Sequence, residues 1–134
     1  MTPFKYAHSD AADWAGIARG LVEGLLRGED LTHDDGETLL GFLYVTDVIS
    51  EDVGSVLTYL RQTTGIDDWV GTVGIGICAT GVEFFDRPAG VAMVARLPEN
   101  GFHVFPALLD DIEELTGAAK TWIDETSPPF AIVH

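Results

Sequence analysis

Leu39-Leu40-Gly41-Phe42-Leu43-Tyr44-Val45-Thr46 is a nearly continuous apolar run, closed by Asp47. It is too short for a buried helix and rich in aromatic and branched residues, so it reads as a central strand covered on both faces. Working outward, Ser50-Glu51-Asp52 supplies a cap and favourable charge for a helix whose buried stripe is Val53, Val56, Leu57 and Leu60, and Gly65 ends it. Trp69 to Ile75 is the next strand. On the other side, Phe4, Tyr6 and His8 alternate with polar or small residues as a short strand. A helix capped by Ser9 or Asp10 follows, with Trp14, Ile17, Ala18, Leu21, Val22 and Leu25 as its stripe and Gly28 as its stop. The first half is therefore β-α-β-α-β, which favours parallel strands with helical crossovers.

The pattern then changes. Val82 to Phe85, Gly90 to Leu97 and Phe102 to Ala107 are strand candidates joined by Arg87-Pro88 and Pro98-Glu99-Asn100-Gly101, connections short enough for antiparallel hairpins. Leu108, Ile112, Leu115, Ala119 and Trp122 form a last helical stripe, broken at Gly117, before Pro128-Pro129 and a strand Phe130 to Val133. The expected fold is α/β, with a mixed sheet flanked by helices, in one domain over residues 1–134. The apolar run Phe130 to Val133, ending at His134 with no polar tail, suggests the N-terminal part of a longer protein, with a natural terminus on a sheet edge as the alternative.

Seven Lys and Arg against 22 Asp and Glu give a net charge of −15, which repels phosphate backbones and anionic headgroups. Nucleic acid and membrane surfaces are not expected partners. Cys78 is the only cysteine, which excludes an internal disulfide and suits the cytoplasm. No basic-then-apolar leader opens the chain, and no apolar run approaches the ~20 residues of a membrane span.

The segment Gly71-Thr72-Val73-Gly74-Ile75-Gly76-Ile77-Cys78-Ala79-Thr80-Gly81 has four glycines after a strand, so its backbone N–H groups can approach a ligand closely. The same glycines would also serve a tight β-turn. A phosphate-binding loop is excluded, because Val82-Glu83 stands where its Lys and Ser or Thr belong. The dinucleotide fingerprint fails for want of a third glycine and a following helix.

Cys78 reads as a pocket-lining or core thiol, with a nucleophile as the alternative if a distant histidine were its base. His103 shares a strand face with Phe105 and is a candidate haem ligand, a polar contact to a ligand, or a hydrogen-bonded strand histidine. The four histidines show no metal-binding spacing. Asp47 lies where a strand gives way to a helix, a position that presents ligand-binding groups or caps the helix. Gly16, Gly20 and Gly24 form an i, i+4 stripe that costs roughly 1 kcal/mol each against Ala unless close packing offsets it.

Phe4-Lys5-Tyr6-Ala7-His8, the strand Leu40 to Asp47, and above all residues 69–81 resemble the N-terminal half of FIST-domain proteins. The resemblance implies an intracellular sensory domain in signal transduction that binds a small molecule such as an amino acid. Some relatives are haem-based nitric-oxide sensors. It also implies a C-terminal half or a signalling domain as partner. Gly74, Gly76, Thr80 and Gly81 would then offer polar groups to a carboxylate or similar head, with Cys78 enclosing the rest. No catalytic signature points to an enzyme.

Overall fold

A computed structural model of the chain describes residues 4–28, 31–107 and 117–134. Among the described residues six strands and three α-helices follow in the order β1 (Phe4–Asp10), α1 (Trp14–Leu25), β2 (Glu37–Thr46), α2 (Val53–Thr64), β3 (Trp69–Gly74), β4 (Gly76–Ala79), β5 (Val82–Phe85), β6 (Ala89–Pro98) and α3 (Ala118–Thr126). A 3-10 stretch, Asp47–Asp52, kinked at Ile49, leads into α2.

The main sheet has the order β1-β6-β2-β3. β2 and β3 are parallel neighbours, as the β-α-β pattern requires, whereas β6 is antiparallel to both β1 and β2. β1 and β2 thus run the same way but are separated by β6, and the sheet is mixed as expected. The crossover through α1 spans a strand added much later in the chain.

One face of the sheet carries α1 and α2. Ile17, Leu21, Leu25, Val56 and Leu60 of the helices are fully buried against Ala7, Leu43, Val45, Trp69, Ala92 and Val94. Each such aliphatic side chain contributes roughly 1.5–3 kcal/mol of burial. On the opposite face Leu40, Phe42 and Ala95 pack against Phe102 and Val104. β2 is therefore buried on both sides, which accounts for its unbroken apolar run.

The glycine stripe of α1 has a packing cause. A Cβ on Gly24 would stand 2.6 Å from that of Ala7, and one on Gly20 would meet the Ser9 side chain. α1 lies close enough to β1 that only glycine fits. On the other strand edge, a Cβ on Gly71 would overlap the carbonyl of Leu43, so β3 approaches β2 through a residue without a side chain.

Several boundaries differ from the sequence expectation. The cap of α1 is Asp13, whose carboxylate accepts from Gly16 N–H at 2.8 Å, because Ser9 and Asp10 remain paired with Gly90 and Ala89 in the sheet. Ser50 falls inside the 3-10 stretch and caps nothing, whereas Gly65 ends α2 in the left-handed conformation (φ 72°) as expected. The strand expected over 69–75 stops at Gly74: the chain bends at exposed Ile75 and leaves the main sheet as β4.

Residues 102–107 and 130–133 are not strands. Phe102 and Val104 cover the sheet without joining its ladder, and Phe130, Ile132 and Val133 are exposed. Of the expected last helix, Leu108, Ile112 and Leu115 lie outside the described residues. Ala119 and Trp122 are in α3, which starts after Gly117 at positive φ (64°).

Candidate ligand-binding site

The parallel pair β2–β3 ends with Thr46 opposite Gly74, which brings Asp47, the next residue on β2's side, to the same end of the sheet as Gly74. The carboxyl end of adjacent parallel strands is where α/β sheets present groups to ligands. Asp47 is exposed there and opens the 3-10 stretch. Of the residues expected to form a site, these two lie at the same end of the parallel pair.

From Gly74 the chain turns into the β4–β5 hairpin, which forms a separate two-stranded sheet with Gly76 opposite Phe85 and Cys78 opposite Glu83. Its inner side chains, Ile77 and Phe84, pack with Ala89, Val91 and Tyr44, so the hairpin is laid over the second face of the main sheet. Thr80 and Gly81 form the two-residue turn, with Gly81 at φ 79°. The glycine-rich segment is thus a hairpin leading into a strand, and it has no helix N-terminus on which a phosphate would sit. Gly76 has a packing role as well: the Phe85 ring lies where its Cβ would be.

The alternation of the hairpin decides the position of Cys78. With Ile77 facing the sheet, Cys78 faces outward and is exposed, so it is not a core thiol. Its cross-strand neighbour is Glu83. His103 is also placed differently. It lies in an irregular segment and not in a strand. It does share a side with Phe105, as its spacing predicts, with ring centroids 4.8 Å apart, and Trp122 of α3 stands 5.5 Å away.

The site contains a residue that sequence reading passed over. Thr46 is the only buried polar side chain among the described residues. Its hydroxyl donates to the Arg87 carbonyl at 2.8 Å and accepts from Ala89 N–H at 3.0 Å, tying the end of β2 to the chain leaving the hairpin. The signal was a hydroxyl closing an otherwise apolar strand. Next to it, Arg87 pairs with Asp10 at 3.2 Å and lies 5.0 Å from the centre of the Phe84 ring, which in turn meets His8 at 5.7 Å. These contacts fasten the hairpin to β1.

The strand register also aligns His8, Val91, Tyr44 and Thr72 across the second face. His8 pairs with Val91, Val91 with Tyr44, and Tyr44 with Thr72. The Tyr44 hydroxyl is hydrogen-bonded to His134 Nε2 at 2.8 Å. A parallel apolar row, Tyr6, Met93, Phe42 and Val70, runs beside it, with Tyr6 56% exposed at the sheet edge. No family model matches the chain, and no curated protein is significantly similar to it. Among the described residues, no helix is long and apolar enough to cross a membrane.

Proposed function

We propose that this chain is a small-ligand-binding sensory domain of the FIST type, working inside the cell and coupled to a C-terminal half or a signalling domain. The observation that supports it is the placement of Asp47 and Gly74 at the same carboxyl end of the parallel pair, beside a hairpin anchored by Thr46. Asp47 would receive a cationic or hydroxyl group of the ligand, and the backbone at Gly74 a polar head. An amino acid carries both kinds of group. The hairpin is the element that a ligand at this end of the sheet would bias, because its hold on the sheet runs through a few named contacts. The haem and cysteine-nucleophile readings draw less support: His103 is engaged with two aromatic rings, and Cys78 stands opposite Glu83 rather than a histidine.

The test is a thermal-shift and native-mass screen of the twenty amino acids and related small metabolites. A binder should raise the melting temperature of the wild-type protein, and Asp47→Asn should reduce its affinity by about tenfold, the worth of one charge-assisted hydrogen bond. Absence of any binder, or a binder indifferent to Asp47→Asn, refutes the placement of the site.

A further inference from the structure

β3 ends the main sheet on the side away from β1: β2 pairs with it, and among the described residues no strand lies beyond it. One hydrogen bond fixes the phase of this pairing, with Gly41 N–H donating to the Asp68 carbonyl at 2.9 Å while Trp69 stands opposite Gly41. In a parallel ladder alternate residues bond to a given neighbour. Val70, Thr72 and Gly74 therefore turn their main-chain groups toward β2, and Trp69, Gly71 and Val73 turn theirs away. Trp69 is buried, whereas Gly71 is part-exposed and Val73 is 38% exposed. Among the described residues no main-chain group bonds to the outward N–H and C=O of Gly71 and Val73. The Val73 carbonyl meets only the hydroxyl of its own neighbour Thr72, at 3.5 Å, too long for more than a weak bond.

The devices that usually close an edge are missing here. β3 has no proline and no charged residue, and its pairing with β2 runs one to one without a bulge. The β4–β5 hairpin that follows packs on Tyr44, Ala89 and Val91, so it lies over β2 and β6 and not beyond β3. The surrounding charge selects what could pair. Asp67 and Asp68, both exposed, lead into β3, and neither carboxylate has a hydrogen bond or ion pair among the described residues. Arg61 donates to the main-chain carbonyl of Asp67, which leaves one positive charge beside two negative ones. The net charge of −15 adds to that excess, so it favours a segment bearing Lys or Arg and opposes a second copy of the chain. At the other edge Arg27 lines the groove outside β1, which such a segment would avoid.

We propose that the outer edge of β3 binds an extended basic segment of a partner protein, which joins the main sheet as a fifth strand. Main-chain hydrogen bonds to Gly71 and Val73 hold the segment, and a basic side chain at its end lies beside Asp67 and Asp68. The inference does not rest on the ligand reading of Asp47 and Gly74, and its test uses no small molecule.

The probe is a fluorescein-labelled peptide Lys-Thr-Val-Thr-Val-Thr-Lys, titrated with the full chain and read by fluorescence anisotropy. With Lys at both ends, either strand direction brings one beside Asp67 and Asp68. Saturable binding is expected. A peptide with Glu in place of both Lys should bind at least tenfold more weakly, and the Asp67→Asn, Asp68→Asn protein should bind the Lys peptide about fivefold more weakly, the upper worth of an exposed ion pair. Val73→Pro removes an N–H that faces away from β2, a change an edge strand accepts, so it should abolish binding while the circular dichroism spectrum stays that of wild type. Of two peptides N-methylated at alternate residues in opposite phase, one should lose binding, a test that needs no variant protein. The proposal is overturned by no saturation up to about 1 mM protein, where only negligible affinity remains. Equal binding of the Glu peptide, unchanged binding of both N-methylated peptides, or full binding to folded Val73→Pro also overturns it. So does a dimeric mass in light scattering that Val73→Pro converts to a monomer, which would make the second copy the occupant.

Discussion

Replacing Thr46 by Val keeps the shape of the side chain and removes only its hydroxyl. Thr46 is fully buried, and that hydroxyl holds two main-chain groups, the Arg87 carbonyl at 2.8 Å and the Ala89 N–H at 3.0 Å. Ala89 is itself fully buried, so its N–H would lose its partner with no water to replace it, at about 1–3 kcal/mol. Arg87 is exposed, and its carbonyl can turn to solvent, so that bond contributes about 0.5–1.5 kcal/mol. Thr46→Val should therefore destabilise the protein by about 2–4 kcal/mol. Thr46→Ser keeps both bonds and loses a methyl group, for about 1 kcal/mol. Urea unfolding followed by tryptophan fluorescence and far-ultraviolet circular dichroism measures both. If Thr46→Val lies within about 0.5 kcal/mol of wild type, the ordinary scatter of surface substitutions, the hydroxyl does not anchor the hairpin.

Gly24→Ala tests the contact of α1 with β1 by its sign: helix propensity alone predicts a gain of about 1 kcal/mol, whereas overlap with Ala7 predicts a loss of about 1–3 kcal/mol. Adding Ala7→Gly should recover most of that loss in a double-mutant cycle, and additive effects of the two changes would dismiss the contact. Cys78 should react with iodoacetamide in the native protein at a rate within about threefold of that in urea, since its thiol is exposed, and Cys78→Ser should change stability by less than about 0.5 kcal/mol. An unreactive native thiol would place the hairpin the other way up.

The fold was legible where one local pattern met one outcome. Leu39 to Thr46 had to be a two-sided strand, and the stripes of α1 and α2 recur as the buried residues Ile17, Leu21, Leu25, Val56 and Leu60. What the local pattern leaves open is which strands pair over distance. Nothing in Gly90 to Leu97 says that it lies between β1 and β2, because its alternation would serve equally in a hairpin. Phe102 to Ala107 carries the alternation of a strand, yet it satisfies its apolar side by lying on the sheet without pairing.

The candidate site was legible in part for the same reason. Asp47 and Gly74 follow from the crossover rule. The face that Cys78 takes depends on the register of a hairpin whose turn, Thr80-Gly81, could be placed only by geometry. Thr46 was hidden because a threonine is ordinary in a strand, and its value lies in partners more than forty residues away.

The position of β6 carries a consequence for how the chain reaches this structure. β1 and β2 meet only through a strand that spans Ala89–Pro98, so joining both to it closes loops of more than eighty and fifty residues, as the pairs Phe4 with Ala95 and Leu40 with Ala95 indicate. Contacts so distant in sequence are slow to form, and they come after the helices and the β2–β3 unit have become available locally. A ribosome that has released only the first eighty-eight residues has delivered both helices and the parallel pair but no centre for the sheet, with β1 unpaired and its aromatic face open. Formation of this sheet therefore waits on the arrival of one strand.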